Sequence, residues 1–132
     1  RKKGVRKGMD EIVRDSLYPV LLGSDTLCHA CVRRLKKEYG LPITVLTGKR
    51  AMTLRFISGV LLYNAPPTFS DGILLSILSD LEENSGYRIP LLVLCDEAYR
   101  PFVTRNREVL EEKFILRDAK AILGLWEDNG EL

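Results

Sequence analysis

Apolar and polar positions along this chain fall into alternating blocks, short and nearly uniform apolar runs separated by longer stretches with helical spacing. The first run, residues 18–22 (YPVLL), reads as a strand. It ends at Gly23, Ser24 and Asp25, a turn followed by a good helix N-cap. Behind it Cys28, Cys31, Val32, Leu35 and Tyr39 recur at spacings of three and four, with Arg33, Arg34, Lys36 and Lys37 on the other side. That pattern predicts an amphipathic helix closed by Gly40. Residues 43–46 predict a second short strand, and residues 47–55, which show neither period, a loop. Residues 59–63 predict a third strand, stopped where Pro66 and Pro67 forbid further pairing.

In the second half Ile73, Leu74, Ile77, Leu78 and Leu81 form one stripe, with Ser70 as N-cap and Gly86 beyond the end, so a helix is predicted between 70 and 84. Residues 90–95 (PLLVLC) are apolar throughout, as in a strand buried on both faces of a parallel sheet. A third helix is predicted from Asp96 or Glu97, with Pro101 tolerated near its first turn and Tyr99, Phe102, Val103, Val109 and Leu110 on its buried side. Residues 114–116 predict a last strand, and Asp118 the cap of a short helix reaching Leu125. Strands alternating with helices give an α/β fold, a three-layer sandwich with a mostly parallel sheet of four or five strands and helices on both faces. In such sheets ligands bind at the carboxyl ends of the strands. Here those ends are Gly23, Ser24 and Asp25, then Thr47, Gly48 and Lys49, then Cys95, Asp96 and Glu97.

Composition changes this picture little. The chain has 132 residues, enough for one domain and core, and no apolar run approaches the roughly 20 residues of a membrane helix. A cytoplasmic, soluble protein without a membrane partner is expected. The first residue is not Met, which suggests a chain that is processed or cut from a longer one. The net charge of +2 conceals five basic groups among residues 1–7, and the rest of the chain is slightly acidic. A short solvated tail accounts for this, and no nucleic-acid partner is assigned. The expected division is a basic extension over 1–16, a folded domain over 17–125, and an acidic tail or linker over 126–132.

Three cysteines without an export signal predict reduced thiols. Cys28 and Cys31 form a C-x-x-C near a helix start, where thiol oxidoreductases carry their redox pair. Both also lie on the stripe continued by Leu35, so burial as small apolar groups explains them without chemistry. Zinc needs four ligands, and His29 is turned about 100° away while Cys95 lies far along the chain, so no metal is assigned. A lone glycine after the first strand, with no acid ending the second, excludes the dinucleotide fingerprint. Tyr63 and Asn64 stand where a receiver domain needs its phosphorylated Asp. Asp96 and Glu97 offer two carboxylates, but acids in a first helical turn serve ordinarily as caps and dipole partners.

Two segments carry a resemblance. YPVLLGSDTLCHACVRRLKKEYG at 18–40 resembles the opening of ATP-grasp enzymes of the D-aspartate-ligase and carbamoyl-phosphate-synthase-like kind. PLLVLCDEAYRPFVTRNREVLEEKFIL at 90–116 is similar to the fourth strand, helix and fifth strand of the same domain, with Asn106 and Leu110 in an Asn-x-x-x-Leu spacing and Phe114 closing it. The resemblance implies a Rossmann-like pre-ATP-grasp domain that forms the acceptor-substrate side of a ligase cleft. It implies that Gly23, Ser24, Asp25 and Asp96 lie nearest the substrate. ATP and Mg²⁺, used to convert a carboxylate to an acyl phosphate, would belong to an ATP-grasp module of the same polypeptide that these residues lack. No catalytic residue, cofactor or metal is therefore expected within the 132 residues. A free-standing Rossmann-like module binding a small molecule or nucleotide, and a C-x-x-C oxidoreductase, are the alternatives. A homo-oligomer fits an apolar face left by a missing module.

Overall fold

The computed structural model describes residues 17–23, 26–40, 42–48, 54 and 57–124. Several sequence expectations lie outside them: the 1–16 extension, Ser24, Asp25, most of the 47–55 loop including Lys49, and the 126–132 tail. The side chain of Tyr39 and the end of the last helix at Leu125 do so as well.

Five strands, β1 (Leu17–Leu22), β2 (Ile43–Thr47), β3 (Val60–Asn64), β4 (Ile89–Leu94) and β5 (Ile115–Asp118), form one sheet in the order β3-β2-β1-β4-β5. Every neighbouring pair is parallel, and the longest register, Leu17↔Ile89 through Leu22↔Leu94, joins β1 to β4 at the centre. With α1 (Thr26–Tyr39), α2 (Asp71–Glu83), α3 (Arg100–Arg105), α4 (Arg107–Lys113) and α5 (Ala119–Ile122), this is a Rossmann-like α/β sandwich.

Period-two alternation in the strands sorts the core into two layers. Val20, Leu22, Leu46, Leu92, Leu94 and Leu116 face one way and pack with Leu74 and Leu78 of α2 and Phe102 and Leu110 of α3 and α4. Leu21, Ile43, Val45, Leu91 and Val93 face the other and pack with Cys28, Cys31, Val32 and Leu35 of α1 and Ala119 of α5. Each fully buried leucine contributes roughly 1.5–3 kcal/mol of burial free energy, so both layers are needed to hold the sheet. β3 is an edge strand without a charged residue, and Leu61 and Tyr63 on it remain exposed.

The caps follow the sequence. The Ser70 hydroxyl accepts from the Ile73 N–H at 3.3 Å, and the Asp118 carboxylate accepts from the Lys120 N–H at 2.8 Å. The helix predicted from Asp96 differs, because it is divided. Glu97–Tyr99 form a 3₁₀ turn, α3 begins with Pro101 in its first turn, and the helix breaks at Asn106 before α4. The Asn106 amide donates to the Phe102 carbonyl and to Asp71, each at 2.9 Å, and such local bonding competes with a continuous helix. The break changes the phase of the stripe. Val109, predicted buried, is instead 43% exposed, beside a groove of about 290 Å³ between α2 and α4.

Candidate functional site

In this strand order the chain leaves β1 toward one edge and resumes at β4 toward the other, so the crevice for a ligand opens at the carboxyl ends of β1 and β4. The backbone is closely knit there. The N–H groups of Cys95 and Asp96 both donate to the Leu22 carbonyl, at 3.1 and 3.0 Å, and the Gly23 N–H donates to Leu46 at 2.8 Å.

Gly23 has φ +119°, and a Cβ on it would stand 2.5 Å from the Cβ of Asp96 and 2.9 Å from its nitrogen. Only glycine allows both the backbone angle and the approach. Gly48, at the end of β2, is constrained by contact alone, since a Cβ there would stand 2.3 Å from the Cβ of Pro66. The Tyr99 hydroxyl donates to the Ala65 carbonyl at 2.7 Å and ties the turn after β4 to the end of β3. Burial, together with the neighbouring Asp96 charge, pushes the Tyr99 phenol well above its usual range.

These contacts surround a cleft of about 300 Å³ lined by Thr47, Gly48, Pro66, Asp96, Ala98 and Tyr99. Asp96 is the only ionisable carboxylate in that lining. One of its oxygens accepts from the Ala98 N–H at 2.9 Å and caps the 3₁₀ turn. Of the residues that sequence singled out, Gly23 and Asp96 meet here, while Ser24 and Asp25 lie outside the described residues. Thr47 and Gly48, expected at a strand end, line the cleft too, whereas Pro66 and Tyr99 were not foreseen beside them. Their common signal is position just after strand ends, with a glycine or proline wherever two loops touch.

Glu97 turns away from Asp96. Both of its oxygens are held by Arg100, at 2.6 and 2.9 Å, which keeps its carboxyl below the usual range. Arg100 also reaches the buried Asp118 at the end of β5, at 2.9 Å. Its guanidinium is therefore engaged with two carboxylates and does not face the cleft as a spare cation.

On the opposite side of the same strand end lies a second cluster. Cys95, far from the C-x-x-C in sequence, comes within hydrogen-bonding reach of both Cys28 and Cys31, and all three cysteines are buried and outside any disulfide. The separation assumed from sequence is thus corrected by the pairing of β4 with β1, which sets Cys95 under α1 with Leu91 and Val93. Contacts with the two thiols and burial drive the Cys95 pKa far above the ordinary thiol value. The Cys31 thiol points at the Ala119 carbonyl, at 3.6 Å. Thiols buried in this way are poor nucleophiles. Among the described residues no group of three or more His, Cys, Asp or Glu side chains is arranged to hold a metal ion. Nor is any helix among them long and apolar enough to cross a membrane. No family model matches the chain, and no curated protein or solved structure matches it either.

Proposed function

We propose that this chain is the substrate-side domain of an ATP-grasp carboxylate–amine ligase, with the carboxyl-edge cleft contributing to the acceptor pocket. The observation that carries this reading is the cleft itself. It lies at the switch point of a β3-β2-β1-β4-β5 sheet, where Gly23 and Asp96, the described members of the resemblance-implied set, are in contact. The order of elements across 90–116, a strand, helical turns and a closing strand after Phe114, is in keeping with the resemblance.

In this reading ATP and Mg²⁺ are handled by an ATP-grasp module outside these residues, in a cytoplasmic enzyme, and the domain described here holds the second substrate. The burial of Cys28 and Cys31 speaks against the oxidoreductase alternative, because a redox pair needs an accessible thiol.

The test joins the chain to an ATP-grasp module in its native polypeptide and measures ADP release. Release requiring both a carboxylate and an amine, absent from the 132 residues alone and lowered at least tenfold in kcat/KM by Asp96→Ala, is the expected result. ADP release indifferent to added amine and to Asp96 counts against the reading.

A further inference from the structure

The two edges of the sheet are guarded differently. β5 carries Arg117, a charge of the kind that discourages a further strand from pairing. β3 (VLLYN) carries neither a charge nor a proline.

Parity fixes what β3 presents. The Gly59 carbonyl accepts from the Ile43 N–H and the Ala65 N–H donates to the Thr47 carbonyl, both on β2. Residues 59, 61, 63 and 65 therefore turn their peptide groups toward β2, and 60, 62 and 64 turn theirs outward, where the sheet ends. The side chains sort by face. Val60 and Leu62 pack against the layer under α1, as do Leu54 and Ile57 of the connection from β2. Leu61 and Tyr63, in register with Thr44 and Leu46, stand on the opposite face at 57% and 41% exposure.

This arrangement is complementary to itself. About a two-fold axis at Leu62, two β3 strands run antiparallel, and each Leu61 stands opposite Tyr63 of the other copy. The outward peptide groups then take the hydrogen-bonded positions, and Leu61 and Tyr63 take the others, where side chains approach most closely. With no charge on either strand, the axis brings no like charges together.

We propose that β3 is a self-association edge, pairing antiparallel with β3 of a second copy of this chain to make one continuous sheet. A seam of five residues per copy covers roughly 800 Å² in total, short of the ~1,200 Å² at which stable complexes begin. The dimer is accordingly weak and reversible, with a Kd of roughly 0.1 mM. Pairing along β3 uses neither the cleft nor ATP, so it stands apart from the ligase reading.

The test is sedimentation velocity on the 132-residue chain from about 10 µM to about 1 mM, with backbone amide shifts followed by NMR over the same range. A concentration-dependent rise toward the dimer, with shifts at Leu62 and Asn64, is expected. Leu61→Lys and Tyr63→Glu, both at exposed positions, should each weaken association about tenfold or more. Mixing the two variants sets the new lysine opposite the new glutamate and should restore association to within about threefold of the wild type. Ile115→Lys, at an exposed position on β5, should leave it unchanged. A chain that stays monomeric throughout overturns the proposal. So does association indifferent to both β3 variants, association equally weakened by Ile115→Lys, or a pair of variants that fails to recover on mixing.

Discussion

Cys95 and Asp96 are neighbours in the chain and inhabit opposite environments. Cys95 is 2% exposed, pressed against two further thiols beneath α1, whereas Asp96 borders an open cleft on the far side of the strand end. Successive residues of an extended chain point to opposite faces, so a single peptide unit separates sealed core from candidate binding surface. The difference separates two chemically suggestive motifs. The C-x-x-C, more conspicuous in sequence, is buried in the core, and the modest acid after β4 borders the cleft.

The largest effect should come from exchanging the two environments. Cys95→Asp puts a carboxylate among thiols and aliphatic side chains with no partner cation, and should cost about 3–5 kcal/mol in urea unfolding at neutral pH. The loss should shrink in acid, since burial raises the pKa of the new carboxyl and its neutral form is tolerated. Asp96→Cys, the reverse exchange, should cost only about 1 kcal/mol, the value of a lost cap. Equal costs for the two would abolish the contrast. Between these lies Gly23→Ala, expected to cost about 2–4 kcal/mol because it combines a left-handed backbone angle with a clash against Asp96. A cost under about 1 kcal/mol would show that the two loops are not locked together.

Much of this architecture was legible in the sequence because it is local. The β4 run, the stripe of α1 and the caps at Ser70 and Asp118 depend only on residues within a few positions of one another. The meeting of Cys95 with Cys28 and Cys31 depends on β4 lying next to β1, which no local spacing states. Once that order is known, parity suffices, since Cys95 shares a face with Leu91 and Val93 and α1 covers that face. The division of the third helix at Asn106 was hidden for a related reason, its amide being drawn toward Asp71 from another helix. The cleft was half visible. Gly23 and Asp96 were placed by strand ends, but the Gly48–Pro66 contact and the Tyr99 bond to Ala65 come from tertiary structure alone.

Smaller effects sharpen the contrast through protonation. The Cys95 pKa is raised in the folded state, so the thiol cluster contributes stability that is complete below the ordinary thiol range and is lost as pH rises through the folded value. Unfolding midpoints should therefore fall in strong alkali by more in the wild type than in Cys95→Ala. Identical alkaline profiles would remove the cluster from that account. Thiol-specific reagents should label none of the three cysteines in the native state faster than unfolding exposes them.

The helical layer on the cleft side has an acid counterpart. Asp71 is held at a pKa of about 2 by the bidentate Arg105 guanidinium and by Asn106. Its contribution is present above the usual carboxylate range and lost as pH falls toward about 2. NMR titration of Asp71 should show that low midpoint in the native protein and a return toward ordinary values in Arg105→Ala. An unchanged midpoint would assign the depression to another group.

The all-parallel sheet has a kinetic side. No two neighbouring strands are joined by a hairpin, and the central register brings Leu17 to Ile89 only after β2, β3, α1 and α2 have been threaded between them. Loop-closure entropy makes such a seam the costliest pairing to nucleate and gives the domain a high contact order. The cleft lies at the end of that seam. Neither the β1-β2-β3 half nor the β4-β5 half contains it, and a ligand that binds there senses the joined chain.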